Sequence, residues 1–382
     1  MIINPLKLCM RKSRDMDPLS FSQWTSINLA SQDSSILINP VPLFTDLQLK
    51  KDYSQLVIIS DANVYPLYGP FLIQQFPCRQ INKIIIAPGE RSKSLQTANY
   101  CWQELQRFEI DRHALIISLG GGVVTDLAGF VASCYMRGLD IIHVPTTLMG
   151  MVDAAIGGKT AVNFKGSKNL IGSIHPPRQV WIFSSYLQSL PAEEFSAGLA
   201  EIVKYGIIQG PQLFERLEKN TTAILAKDSQ FMHLLIVECC KIKAFIVEKD
   251  ERDYGIRATL NLGHTFAHAI EAAMDYQISH GHAVSIGLSC AFYTSKILGF
   301  IEQALIIRLH NLLKSLNLPL SLPEELSEET LISYMYNDKK TVKGKLNLIL
   351  VKKIGSVESI EAVEPKLILT ALKQKKAEKE LE

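Results

Sequence analysis

The sequence predicts an α/β N-terminal domain with a parallel, Rossmann-like sheet, followed by an all-helical C-terminal domain. Three observations carry this. From Ser35 to Phe183, short β-branched runs alternate with stretches of helical periodicity, the pattern of a parallel sheet with helices on its faces. After about Leu190 the strand signals fade and helical periodicity takes over. The chain has 382 residues, 47 % apolar and 20 % charged, which suits two globular domains. The expected divisions are an appendage over 1–34, the α/β domain over 35–189, a helical domain over 190–372 and a charged tail over 373–382.

In chain order, residues 1–34 show no sustained period and are expected to be disordered or a loosely docked strand; Met10 and Met16 are alternative starts. Strands are expected at Ser35–Ile38, Leu56–Ser60, Lys83–Ala87, Ala114–Leu119, Ile141–Val144 and Val180–Phe183. Helices are expected near Val64–Gln75, Ser94–Phe108 and Val123–Arg137. Sheets of this class bind ligands beyond the carboxyl ends of their strands. One such end leads into Gly120-Gly121-Gly122, ahead of Val123-Val124-Thr125-Asp126. Glycines there admit a close ligand, and the next helix offers free N–H groups to a pyrophosphate. A tight strand–helix turn would use the same residues, and the spacing is not that of the usual dinucleotide fingerprint. Pro88–Lys93 follows another strand, with Glu90 able to accept ribose hydroxyls and Lys93 able to reach a phosphate. The segments His143–Met149 and Val152–Thr160 form a further strand-end loop, rich in Thr, Asp, Gly and Lys. With Lys165, Lys168 and Asn169 in a further glycine-containing loop, they gather Thr, Asp, Lys and Asn in a pattern suited to an oxyanion.

In the helical part, Glu201 and Lys204 share a helix face among Leu199, Ile202 and Val203, so the carboxylate is expected to be buried and to need a strong partner. Lys243 lies in the helix Leu234–Glu248, and residues 284–316 form another helical stretch. Four of nine histidines fall between 264 and 282. His264 and His268 are one helical turn apart, and His280 follows a break at Asp275-Tyr276-Gln277. Converging imidazoles plus a carboxylate suit a divalent metal, with Glu201 the candidate acid. Asp338-Lys339-Lys340 reads as a charged loop, and Leu346–Val351 as a strand.

The net charge of +2 gives no reason to expect nucleic acid or an acidic membrane as partner. No apolar run approaches a membrane span, and the N-terminus lacks the features of a signal peptide. Seven cysteines, none in a C-x-x-C pair, suit reduced core thiols in a cytoplasmic protein.

Taken together, several ordered motifs resemble the 3-dehydroquinate synthases, within the sugar-phosphate cyclases. They are Gly120–Phe130, Tyr135-Met136-Arg137-Gly138, Val144–Thr147, Val152–Thr160, Lys168–Gly172, Ala197–Gly206, Arg257, Asn261–Glu271, His280-Gly281 and Asp338-Lys339-Lys340. The resemblance spans about residues 35–360. It implies an NAD-binding α/β domain, a helical metal- and substrate-binding domain and an active site in the cleft. It assigns zinc or cobalt to Glu201, His264 and His280. It assigns NAD to Glu90, Lys93, Gly122, Val123, Val124, Thr125, Asp126, Thr146, Thr147, Lys159 and Lys168. The substrate would meet Asp126, Asp153, Lys159, Asn169, Lys204, Lys243, Arg257, Asn261, His268 and Lys340, with Arg137 reaching the phosphate pocket of a neighbouring subunit in a homodimer.

The implied reaction converts 3-deoxy-D-arabino-heptulosonate 7-phosphate to 3-dehydroquinate and phosphate, in the shikimate route to aromatic amino acids. It proceeds by transient oxidation with NAD, phosphate elimination, reduction and intramolecular aldol closure. His268 would relay a proton or orient the phosphate. The sequence departs from the family at His282, where a glutamate is usual. An alternative gives the metal to His282, but Gly281 and Ala283-Val284 match in register and favour His280. The region Ser35–Phe44 also lacks the family's usual glycines. The nearest rival reading is a glycerol-dehydrogenase-like, metal-dependent oxidoreductase, against which the basic residues Lys204, Lys243, Arg257 and Lys340 argue for a phosphorylated substrate.

Overall fold

The computed structural model describes residues 24–42, 49, 51–76, 80–251, 253, 255–337 and 346–379. The chain forms two compact units. One comprises residues 1–191 with 229–248, and the other 192–228 with 249–382.

The first unit is built on a seven-stranded sheet. Its strands are β1 (Thr25–Leu29), β2 (Ser34–Asn39), β3 (Leu56–Asp61), β4 (Ile81–Ile86), β5 (Leu115–Gly120), β6 (Asp140–Pro145) and β9 (Gln179–Phe183). The order is β1-β2-β9-β6-β5-β3-β4. All neighbours pair in parallel except β1 and β2. Every residue of β3, β5 and β9 is buried, as expected of strands covered on both faces. Helices α1 (Tyr65–Gln74), α2 (Leu95–Arg107) and α3 (Gly122–Cys134) follow β3, β4 and β5. From β3 the chain winds to β4 on one side, then back to β5 on the other. The winding thus reverses between β3 and β5, and the Gly120–Gly122 turn leaves β5 at that switch point. Ala98, Cys101 and Leu105 of α2 and Leu127, Ala128 and Val131 of α3 pack with Val57, Ile59 and Ile116 of the sheet.

Within the stretch expected to be disordered or a loosely docked strand, the described residues form strand β1. Its alternation is short, and its pairing with β2 is a long-range gain that no local period reveals. Other local features differ from the expectation: Lys168 and Asn169 belong not to a loop but to β8 (Ser167–Ile174), which pairs with β7 (Lys159–Phe164), while Lys165 stays in the turn between them, beside Gly166. The polar Lys168 and Asn169 at the start of β8 disguise the strand. Helix α3 stops at Cys134, and Met136 and Arg137 adopt left-handed backbone (φ 49° and 67°).

The helix α7 (Ser229–Lys249), read as part of the helical domain, clusters with the first unit apart from its last residue. Cys240 Sγ reaches the Met151 carbonyl at 3.4 Å, and the Ser31 hydroxyl donates to Glu248 at 3.0 Å.

The second unit is mainly helical, with α4 (Ala192–Gln209), α5 (Pro211–Lys219), α6 (Thr221–Leu225), α8 (His264–Ala273), α9 (His280–Ile297), α10 (Gln303–Ser315), α11 (Glu328–Asn337) and α12 (Pro365–Lys379). A two-stranded hairpin, β10 (Leu348–Lys353) and β11 (Ser356–Ile360), accompanies them. Helix α9 is buried from Ala283 to Ser295 on all sides, the signature of a central helix. It packs against α4, α8, α10, α12 and β10. Its hydroxyls are satisfied inside: Ser285 donates to the Pro319 carbonyl at 2.7 Å, and Thr294 and Ser295 donate to carbonyls one turn back.

Among the described residues no helix is long and apolar enough to cross a membrane. Of the described free cysteines, 101, 239, 240 and 290 are buried and 134 is exposed. Burial pushes the Cys101 and Cys240 thiols up to about 12, keeping them protonated and inert.

Candidate functional site

Two clusters of polar residues stand out, one in each unit. In the first unit they gather at the carboxyl ends of the sheet strands. Gly89 turns the chain after β4 with φ 91°, and a short 3-10 turn carries Glu90. Lys93, 5 % exposed, donates to Asp126 Oδ2 and Asn169 Oδ1, both at 2.5 Å. Burial raises the Asp126 carboxyl above the ordinary carboxylate range, and the Lys93 ammonium offsets part of this. Glu90 Oε1 accepts from Asn163 Nδ2 at 2.8 Å, and Asn163 Oδ1 accepts from the Asn169 backbone N–H at 3.0 Å. Sequence reasoning missed Asn163, whose strand is hidden by the polar residues around it.

The glycine turn serves the protein as well as any ligand. A Cβ on Gly121 would come within 2.9 Å of Thr147, and one on Gly122 within 3.2 Å of Ala154. Gly121 and Gly122 have ordinary negative-φ backbone, so smallness rather than conformational freedom is what the turn uses. Val124 and Thr125 are buried side chains, leaving only their backbone to face a ligand. The Thr146 N–H donates to the Gly120 carbonyl at 2.9 Å, and Thr147 Oγ1 accepts from Gly150 N–H at 3.1 Å. Asp153 sits in a single π-type turn, Gly150–Ala154. Lys243 of α7, 5 % exposed, donates to its carbonyl at 2.5 Å and to its Oδ1 at 2.6 Å. Lys159 and Arg137 are exposed, and Lys168 is half-buried on β8.

In the second unit, Glu201 of α4 is fully buried. Its Oε2 lies against the Lys204 ammonium, itself 1 % exposed, yet neither carboxylate oxygen accepts a hydrogen bond of good geometry. Oε1 instead faces two imidazoles, His264 Nε2 at 3.5 Å and His280 Nε2 at 3.8 Å. The close approach is a matter of glycines. Gly281 leaves so little room that a Cβ would fall 1.9 Å from the Ala197 carbonyl, which lets the start of α9 sit directly on α4. Gly263 precedes α8 with φ 77° and nests against Gly287 and Leu288. Asp275 and Tyr276, both left-handed at φ 48° and 58°, turn the chain just after α8, at the start of the segment between the two histidine helices.

The three side chains fit a divalent ion. Their ligand atoms all lie within 4.8 Å of one another. A tetrahedral zinc with arms of about 2.0–2.1 Å holds its ligands about 3.3–3.4 Å apart, and the observed 3.5 and 3.8 Å edges are close to this while too long for good hydrogen bonds. Both imidazoles also have an acceptor at Nδ1: the Leu262 carbonyl for His264 and Glu271 Oε2 for His280, each at 3.1 Å. That assigns the proton to Nδ1 and leaves the Nε2 lone pairs facing Glu201.

His268 joins the same ring cluster, its centroid 5.7 Å from His264 and 6.0 Å from His280. Arg257 is buried and donates through Nη1 to the Glu251 carbonyl at 2.6 Å; Asn261 ends the same 3-10 segment, Ile256–Asn261. His282 pairs through Nε2 with Ser196 Oγ at 2.8 Å and belongs to neither candidate metal group among the described residues. Lys340 lies outside the described residues.

Comparison with known proteins gives one answer along most of the chain. The family model for the 3-dehydroquinate synthase N-terminal domain matches residues 83–197, and that for its C-terminal domain matches 198–341. The chain is 40 % identical to the 3-dehydroquinate synthase of Shewanella frigidimarina (strain NCIMB 400), over 87 % of this chain and 92 % of that one. It is 41 % identical to that of Vibrio atlanticus (strain LGP32), over 91 % and 97 %. Among solved structures, ValA, a 2-epi-5-epi-valiolone synthase from Streptomyces hygroscopicus subsp. jinggangensis 5008 with NAD+ and Zn2+ bound, superposes with a TM-score of 0.83. It is 27 % identical, covering 90 % of this chain and 96 % of that one. A probable glycerol dehydrogenase from Sinorhizobium meliloti 1021 shares only the fold, at 12 % identity and a TM-score of 0.55, over 85 % of this chain and 91 % of that one. On the family models and these relatives, the chain belongs to the 3-dehydroquinate synthase family.

Proposed function

We propose that this chain is an NAD- and divalent-metal-dependent carbon–oxygen lyase, turning 3-deoxy-D-arabino-heptulosonate 7-phosphate into 3-dehydroquinate and inorganic phosphate. The observation that carries this reading is the Glu201, His264 and His280 set, in a chain 40 % identical to a 3-dehydroquinate synthase over most of its length. Glu201, His264 and His280 would hold the ion. The Gly120–Asp126 turn, Glu90, Lys93, Thr146, Thr147, Lys159 and Lys168 would hold NAD. When bound, the two groups supply Lewis acidity at a substrate alcohol and a reversible hydride acceptor.

The chain's own residues do the rest. Lys204 and Lys243, with Arg137 from a second copy in a homodimer, would hold the phosphate dianion by charge-assisted hydrogen bonds. Asp153 keeps the Lys243 ammonium fixed through two short contacts, so little reorganisation is left for the reaction. Asp126 and Asn169 do the same for Lys93. Arg257, Asn261 and Lys340 would meet the substrate's carboxylate and hydroxyls, and His268 would move a proton or orient the phosphate. A site built of so many cations suits a phosphorylated sugar acid better than an uncharged polyol.

The test is phosphorus and proton magnetic resonance of the heptulosonate phosphate incubated with the protein, Zn2+ and a trace of NAD+. Inorganic phosphate and a cyclic ketone appearing one for one support the reading. An unchanged sugar phosphate with a metal-loaded protein overturns it.

A further inference from the structure

Glu271 has no part in the chemistry above, yet it is a carboxylate only 1 % exposed, in the last turn of α8. Helix ends of that polarity disfavour a negative charge, so helix stability does not account for it. A buried carboxylate needs a partner, and Glu271 Oε2 lies 3.1 Å from His280 Nδ1. The other histidine of the set, His264, has the neutral Leu262 carbonyl at its Nδ1. The two imidazoles are therefore unequal, one backed by a charge and one by a dipole.

We propose that Glu271 is a positioning residue for His280. It takes the Nδ1 hydrogen bond, fixes the tautomer and ring plane, and aims Nε2 at Glu201, making His280 the more basic donor of the pair. His282 does not compete for this role, because its ring is turned to Ser196 Oγ. The inference rests on the metal reading of Glu201, His264 and His280. One other arrangement uses the same atoms: His268, Glu271 and His280 also lie within 4.8 Å of one another and would form a second ion site. Against it, one nitrogen cannot both donate a hydrogen to Glu271 and ligate an ion, and the 3.1 Å contact is an ordinary hydrogen-bond length.

The experiment strips the full-length protein of metal and titrates it with Co2+, following the visible ligand-field bands and, by chelator competition, the affinity. Wild type is expected to take one equivalent with bands of a low-symmetry, four- or five-coordinate site. Glu271→Ala is expected to bind about 10–100-fold more weakly, with shifted bands. Glu271→Gln keeps an oxygen for the Nδ1 hydrogen and is expected to keep the band positions at intermediate affinity. Melting of metal-free Glu271→Gln no lower than wild type separates positioning from a merely structural role.

Wild-type affinity and bands in both variants would overturn the proposal, as would parallel losses of affinity and metal-free stability in Glu271→Gln. A second equivalent lost only on mutating Glu271 would make it a ligand of its own ion instead. No cobalt binding by wild type, or binding undisturbed by His264→Ala, would bring down the metal reading itself.

Discussion

Lys204→Met is the perturbation that most directly probes the buried carboxylate. Glu201 and Lys204 are 0 % and 1 % exposed, and the ammonium lies against Oε2. Met nearly preserves the volume and removes the charge. In metal-free protein the carboxylate is then left facing the two imidazoles, at 3.5 and 3.8 Å, without its ammonium partner. Breaking one side of a buried pair costs about 3–5 kcal/mol. For a unit of this size about 1 kcal/mol moves the melting point by roughly 2–4 °C, so a drop of about 6–20 °C is expected without metal.

With metal the sign changes for binding. The ammonium repels a cation at Glu201 and competes for its oxygen, so the variant should bind Zn2+ at least as tightly as wild type. Calorimetric melting with and without Zn2+, plus chelator competition, measures both. The reasoning fails if metal-free Lys204→Met melts like wild type, or if it loses metal affinity.

Three further outcomes follow. His143, buried and paired with Ser118 Oγ at 2.7 Å, has its imidazole pushed down to about 3 by burial and by nearby His175. Its folded pKa lies below the unfolded 6.5, so its contribution is intact above pH 6.5 and is lost at up to about 1.4 kcal/mol per unit as pH falls from there toward about 3. Urea unfolding between pH 7 and 5 should show that slope reduced in His143→Gln. Gly281→Ala forces a Cβ to within 1.9 Å of the Ala197 carbonyl, so α9 must shift off α4. A loss of about 1–3 kcal/mol and weaker Co2+ binding are expected together, read by melting and by the cobalt bands. Lys93→Met removes the cation between Asp126 and Asn169; at about 1.5–3 kcal/mol for a charged hydrogen bond, NAD+ affinity by fluorescence titration should fall about 10–150-fold, and an unchanged affinity would leave Lys93 a structural role alone.

The α/β alternation was readable because each parallel strand is buried on both faces and so is nearly all apolar, as in β3 and β5. Structure made by distant pairing was less legible. Strand β1, in a stretch open to disorder or a docked strand, is decided by its partner β2, and the polar Lys168 and Asn169 at the start of β8 hid the β7–β8 hairpin. The grouping of α7 with the first unit depends on Lys243 and Cys240 finding Asp153 and Met151, about ninety residues earlier in the chain.

At the site, the spacing of His264 and His268 and the apolar setting of Glu201 were informative, because they are local. The hydrogen bonds that assign the tautomers were not, since Leu262 and Glu271 bear on Nδ1 only once the chain has folded. A signal for Glu271 did exist: it stands three residues after His268, on the same helical face.

The central claim is that NAD is used and restored within each turnover. The direct measurement follows inorganic phosphate and NADH absorbance together, with the heptulosonate phosphate in large excess over NAD+ and Zn2+ present. The account predicts many phosphates released per NAD+ and no lasting NADH. NADH accumulating in step with substrate consumption would contradict it and make the chain a dehydrogenase on the same fold.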